Sequence, residues 1–275
     1  MAQNNSLLQL RGITKVFSKG TVDEVIALNN ISLDIYPQDY VTIIGSNGAG
    51  KTTMLNIVAG VFPPERGGKI TVNGVDITGL SEYKHAAYIG RMYQDPGIGT
   101  AGKLTIEENL ALAVLRGQPR TLRRAKNRHL REQFCTALAL LGLGLENRLS
   151  TPVSTLSSGQ RQALALVMAT ISNPALLLLD EHTANLDPRT AQNVLELTDM
   201  IIERERITTL MVTHNMELAL RYGNRLLMMH RGRVVVDIGR EDKENLTVKD
   251  LVTAFERAAG EQLVDESILL SRSME

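Results

Sequence analysis

Eight consecutive residues, Gly45-Ser46-Asn47-Gly48-Ala49-Gly50-Lys51-Thr52, carry glycine, lysine and a hydroxyl at the spacing G-x-x-x-x-G-K-[ST]. That spacing suits phosphate. The glycines let backbone N–H groups curl around phosphate oxygens where a Cβ would obstruct them. A helix starting at Lys51 adds positive potential, Lys51 brings a cation to the β- and γ-phosphates, and the Thr52 hydroxyl can ligate Mg²⁺. Ser46, Asn47, Ala49 and Thr53 complete the expected contact set. The context agrees, since a strand over Tyr40–Ile44 leads in and helix composition over Lys51–Ala59 leads out. The motif implies a nucleotide site without choosing among nucleotide hydrolases.

A second group of residues could act on that nucleotide. The run Leu176-Leu177-Leu178-Leu179-Asp180-Glu181 ends an apolar strand in two carboxylates. In an open α/β sheet the carboxyl ends of the strands border the ligand crevice. Asp180 could hold Mg²⁺ there, through water, and Glu181 could polarise an attacking water as general base. Alone, the pair is as compatible with two solvated acids at a strand end. Beside an intact phosphate loop the chemical reading is favoured.

The elements that must position these groups fall into three stretches. The first third is β-rich, with strand patterns at Leu8–Arg11, Ile31–Ile35, Tyr40–Ile44 and Lys69–Val72 between Gly, Asn and Pro turns. From about Gln94 to Asn173 helical patterns replace them, over Thr105–Arg116, Thr121–Leu141 and Ser158–Ile171. Strands then alternate with helices again: Leu176–Leu179, helix Arg189–Arg204, Thr209–Thr213, helix Glu217–Tyr222, Arg225–Met229 and Arg233–Ile238. Apolar strands alternating with helices imply a mostly parallel sheet covered on both faces. The tail after Val248 reads as helical and polar.

Leu156-Ser157-Ser158-Gly159-Gln160-Arg161-Gln162 decides among families, because it resembles the LSGGQ signature of the ABC ATPases, with Ser158 in place of the first glycine. Physically it is a capped helix N-terminus able to bind an anion end-on, with Gly159 allowing close backbone approach. The rest of the family pattern follows in order. Gln94 resembles the Q-loop glutamine that contacts Mg²⁺ or the attacking water. Ala184-Asn185-Leu186-Asp187 is similar to the D-loop, and His214 to the switch histidine that holds the γ-phosphate and the base. Phe17 stands where the family stacks an aromatic on adenine.

The resemblance spans about residues 7–240. It implies an α/β fold with a P-loop NTPase core, an N-terminal antiparallel β subdomain and a helical insert. One ABC ATPase domain would be made of a core at 1–93 and 174–240, a helical signature subdomain at 94–173 and a short tail at 241–275. It further implies ATP and Mg²⁺ as ligands. The partners implied are a second copy whose Ser157–Gln160 tip completes the nucleotide site, membrane permease subunits, and through them an extracytoplasmic solute-binding protein. A single nucleotide domain with an insert of ordinary size looks like the ATPase of a bacterial uptake system, with amino acids, aromatic ones included, as the substrate class and the cytoplasmic face of the membrane as the location. The rival is an ABC ATPase that moves nucleic acid or ribosomes, and a third reading is an adaptor that binds ATP without turnover.

Three positions depart from the family pattern. His182 replaces the proline after the base, which frees φ locally and brings a titratable ring near the site without a catalytic role. Asn185 takes an alanine-like slot, and Gln38-Asp39 replaces a Gly-Glu turn.

Composition bounds the rest. With 30 basic and 30 acidic residues the net charge is zero, so no global attraction to nucleic acid is expected. Cys135 is the only cysteine, which excludes an intrachain disulfide and a cysteine-rich zinc site and fits a reducing compartment. Cys135, Met228 and Met229 read as packing residues. The start MAQNNSLLQLRG does not resemble a secretory signal, and no apolar run approaches the roughly 20 residues of a membrane helix. Seven basic residues between Arg116 and Arg131, without an acid among them, read as a solvated helix face, with contact to anionic lipid or a permease as the alternative.

Overall fold

In chain order, the computed structural model describes residues 6–118 and 128–259. It begins with strands β1 (Leu8–Phe17), β2 (Val25–Ile35) and β3 (Tyr40–Gly45), helix α1 (Lys51–Val58), then β4 (Lys69–Val72) and β5 (Val75–Asp76). Next come α2 (Glu82–His85), β6 (Ile89–Met92), α3 (Pro96–Gly99), α4 (Ile106–Val114), α5 (Arg128–Ala139) and α6 (Ser158–Thr170). The chain continues through β7 (Leu176–Asp180), α7 (Pro188–Glu205), β8 (Thr208–Val212), α8 (Met216–Arg221), β9 (Arg225–His230), β10 (Arg233–Ile238), α9 (Arg240–Lys243) and α10 (Val248–Ala259). Two compact units result, one made of the described residues up to Glu82 and from Ile207 onward, the other of Tyr83–Arg206.

The first unit carries two sheet regions. One is antiparallel, in the order β2-β1-β4-β5. Alternation drives it: Leu8, Leu10 and Ile13 turn one face of β1 inward while Gln9, Arg11 and Thr14 face out. Both β1 and β2 run longer than their apolar patterns suggest. Gly12 and Asn29-Asn30 look like breakers, but the hairpin absorbs them as register shifts between Leu10 and Lys15, with Asn30 at φ 53°.

The other region pairs β3 in parallel with β8 and with β9, and β10 closes antiparallel on β9. β3 and β8 are buried at every position, which is why they read as near-continuous apolar runs. The Gln38-Asp39 departure has a structural use. Gln38, at φ 66°, gives its N–H to Thr208 Oγ1, while Asp39 Oδ2 accepts from Tyr36 N and from Arg225 Nη1. The tail is less polar than its composition suggests. α10 sinks Leu251 and Phe255, one helical turn apart, into a cluster with Ile44, Met216, Leu226 and Met228. Lys243 anchors the chain before it, donating to the carbonyls of Tyr222 and Gly223, and burial lowers its ammonium to about 8.

The second unit pairs β6 in parallel with β7 and packs α4, α7 and β6 around α6. α6 is buried along most of its length, from Gln162 to Thr170. Its helices start where side chains cap them. Thr105 and Glu108 form a reciprocal capping box for α4, and Ser157 and Gln160 do the same for α6. The helix expected over Thr121–Leu141 is seen from Arg128 to Ala139, and most of the basic run it carries lies outside the described residues. Met228 and Met229 are fully buried as expected, whereas Cys135 is half-buried, its Sγ 3.6 Å from Glu146 O. Among the described residues no helix is long and apolar enough to cross a membrane.

Candidate functional site

The phosphate loop is shaped by its neighbours. Gly45 ends β3 at φ 153°, and a Cβ there would lie 2.2 Å from Met229 O. Gly50, at φ 98°, would drive a Cβ to 2.4 Å from Ala27 O and 2.8 Å from Leu28 Cδ2. No side chain fits either position, so glycine is required by packing as well as by φ. Gly50 begins α1 without a side-chain cap, and a helix N-terminus of that kind directs its first N–H groups and its positive potential toward an anion. Lys51 is buried and folds back on the loop, its Nζ donating to Gly45 O at 2.7 Å and Ser46 O at 3.0 Å. Thr52 is exposed beside it and Thr53 half-buried.

His214 leaves the neighbouring strand at the same edge. β8 pairs Val212 with Ile43, Thr213 N donates to Ile43 O at 3.1 Å, and the exposed His214 follows. The register therefore carries His214 and Gly45 out beside each other. Phe17 ends β1 partly exposed, edge-on to Phe62 with ring centroids 5.5 Å apart, and the Lys15 ammonium lies over both rings.

The second unit gathers the acidic pair with Gln94. Met92 on β6 pairs with Leu179 on β7, so Gln94 and Glu181, each two residues further on, emerge at the same sheet edge. Glu181 takes the left-handed conformation at φ 47°, unusual for a residue with a side chain and typical of functional turns. Asp180 is buried and pairs with Arg91, whose Nη2 lies 3.5 Å from Oδ2. The Arg91 guanidinium stacks 4.5 Å over the Tyr93 ring, and its Nε and Nη1 are buried without a hydrogen-bond partner.

His182 turns away from solution. Its ring is fully buried and Nε2 lies 3.3 Å from Thr198 Oγ1 on α7. Thr198 spends its own proton on Val194 O, which assigns the His182 proton to Nε2. Burial lowers the ring's proton affinity to about 4. Position 182 thus belongs to the packing against α7.

The signature residues form the tip of α6. Ser157 Oγ accepts from Gln160 N at 3.2 Å, and Gln160 Oε1 accepts from Ser157 N. Ser157 and Ser158 are exposed, while Gly159 is not: a Cβ there would lie 2.3 Å from Thr190 Cγ2 on α7. A side chain at 159 would therefore have to displace the Thr190 methyl. Asp187 caps α7, accepting from Thr190 N at 3.1 Å, and these hydrogen bonds hold its carboxyl below the usual range. Asn185 is exposed in the loop before it.

Each unit brings part of the set together: Lys51, Thr52 and His214 in the first, Gln94, Asp180 and Glu181 in the second. Two residues with a claim on the site escaped sequence reasoning. Arg91 could have been noticed as a charge inside the buried strand Ile89–Met92. Gln162 stood in the signature string, but nothing in its spacing reveals that its fully buried amide donates to Tyr93 O and His182 O.

No group of three or more His, Cys, Asp or Glu side chains that could hold a metal occurs among the described residues. Mg²⁺ needs none, since it binds through one or two protein oxygens with nucleotide phosphates and water, and Thr52 and Asp180 are donors of that kind.

A glycine cradle closed to any side chain, a buried lysine at its centre and a carboxylate pair ending an apolar strand define a nucleotide-hydrolysing cassette. The family model for the ABC transporter matches residues 28–184, and the chain belongs to that family as an ATP-binding, ATP-hydrolysing domain. A tyrosine transport ATP-binding protein of Clostridioides difficile (strain R20291) is 44% identical over 252 residues, covering 92% of this chain and 100% of that protein. A methionine import ATP-binding protein of Bartonella henselae is 34% identical, covering 92% and 68%. Among solved structures, an ATP-binding cassette in a dimeric post-hydrolysis state with ADP and Pi aligns with a TM-score of 0.71 and 26% identity, covering 84% of this chain and 98% of that one.

Proposed function

We propose that this chain energises the uptake of an amino acid, of the tyrosine class, by a bacterial membrane transporter. It would work at the cytoplasmic face as a head-to-tail homodimer on permease subunits served by an extracytoplasmic solute-binding protein. The phosphate loop carries the catalytic half of this reading, because two of its glycines leave no room for any side chain and its lysine is buried against its carbonyls. The relatives named for tyrosine transport and methionine import support the substrate class and the direction.

In this reading Phe17 stacks on adenine, residues 45–53 cradle the phosphates and Lys51 neutralises their charge. Glu181 takes the proton of the attacking water, Gln94 orients that water, and His214 holds the γ-phosphate against Glu181. Thr52, Asp180 and Gln94 are the residues to hold Mg²⁺, which when bound offsets charge on the β- and γ-oxygens. Ser157–Gln160 of one copy face the nucleotide of the other, and Asp187 is a further nucleotide-site residue. The exposed Ser157 and Ser158 leave the tip of α6 available for that role.

The test has two arms. Glu181→Gln should bind ATP, fail to hydrolyse it and accumulate as a dimer by size-exclusion chromatography; a monomer under saturating ATP refutes the hydrolytic assignment. Purification with native partners should recover a multi-span permease and support tyrosine uptake in vesicles. Recovery of ribosomes or DNA would favour the rival class.

A further inference from the structure

One side chain holds the backbone beside both candidate catalytic loops. Gln162 is fully buried on α6, and its Nε2 donates to Tyr93 O, at 3.3 Å, and to His182 O. Tyr93 immediately precedes Gln94, and His182 immediately follows Glu181. The amide orientation is forced, since turning it over would set its oxygen against two carbonyl oxygens. Oε1 is buried without a partner, so the two donated bonds are what the amide contributes.

The place of Gln162 on its helix gives those bonds a direction. Ser157 and Gln160, which close the tip of α6, lie within two turns of it on the same rod. That rod is buried along most of its length and packed to α7 by Gly159 against Thr190, so displacement of the tip is carried along the helix.

We propose that Gln162 is a positioning residue that couples the two nucleotide sites of the dimer. The tip of α6 meets the nucleotide held by the partner, and Gln162 passes that engagement to the Gln94 loop and the Glu181 turn of its own chain. Each site then hydrolyses efficiently when the other is filled. This inference rests on the head-to-tail reading above.

ATPase rate against ATP concentration is the test, with the full chain, its Gln162→Met variant, which keeps the length and removes the donors, and Gln162→Asn, which is one methylene too short to reach both carbonyls. The wild type should give a Hill coefficient approaching the number of sites, about 2, and Gln162→Met about 1. Single-chain ATP affinity, measured by fluorescent-nucleotide binding without turnover, should stay within about twofold, a ratio well under 1 kcal/mol. Gln162→Asn should fall between the two and serves if the methionine variant fails to fold. A wild type without cooperativity, or a variant that retains it, overturns the proposal. The two readings fail apart: a Glu181→Gln that stays monomeric under saturating ATP removes the head-to-tail reading, whereas an ATP-dependent dimer with full cooperativity in Gln162→Met removes only the role of Gln162.

Discussion

His182 makes the folded protein sensitive to mild acid. Burial lowers its proton affinity from 6.5 to about 4, so the folded chain holds the ring neutral where the unfolded chain protonates it. The unfolded state therefore binds more protons between those two values, and stability must fall as pH drops through that window. Between pH 7 and pH 5 the linkage integral comes to about 2 kcal/mol, and the full difference to roughly 3 kcal/mol. His182→Gln has no charge to gain and keeps an N–H for Thr198 Oγ1. Urea unfolding of both proteins at pH 7, 6 and 5, followed by circular dichroism, isolates the effect, because carboxylate titrations are common to both and cancel in the difference. The variant should lose less stability than the wild type on acidification, by about 2 kcal/mol at pH 5. Parallel curves would show that the ring is hydrated or already charged in the folded chain, and the burial argument would fail.

Three further perturbations test the site's architecture. Gly50→Ala forces a Cβ to 2.4 Å from Ala27 O at φ 98°; the left-handed conformation alone costs about 1–2 kcal/mol, and isothermal titration should show ATP affinity reduced at least about tenfold. Arg91→Met takes away the guanidinium 3.5 Å from the buried Asp180, which should lower unfolding stability by about 3 kcal/mol, part of it regained in Arg91→Met/Asp180→Asn. Strict additivity in that cycle would mean the pair does not interact. Ser157→Ala removes the cap from Gln160 N and should shift the urea midpoint by the equivalent of about 1 kcal/mol, with a larger effect on ATP-dependent dimerisation than on single-chain ATP binding.

The parts of the fold that were legible in the sequence are those where burial is uniform. β3, β7 and β8 are buried on both faces, so their apolar runs announce them. The hairpin of β1 and β2 was read short because one face is solvated and its irregular register admits Gly12 and Asn29-Asn30. α10 shows a different limit: the tail was legible as a helix, but the polar residues around Leu251 and Phe255 hid the apolar face that it buries in the core. The site residues could be named from motif spacing because phosphate chemistry fixes residue types along a short stretch. Arg91 and Gln162 could not, since what they touch is distant in sequence: the pairing of Arg91 with Asp180 spans 89 residues and that of Gln162 with Tyr93 spans 69. A motif records what a ligand demands and is silent on how the fold holds the loops that answer.

The folded-back Lys51 has a consequence for how the loop fills. Its ammonium sits against the carbonyls of Gly45 and Ser46, so the cation and the backbone that bends around it steady one another. An arriving phosphate meets a charge stripped of most of its water and needs only to draw it outward. Nucleotide entry becomes an exchange of anion for carbonyl at a single nitrogen, and departure runs the same swap backwards, leaving the cradle in shape for the next turnover.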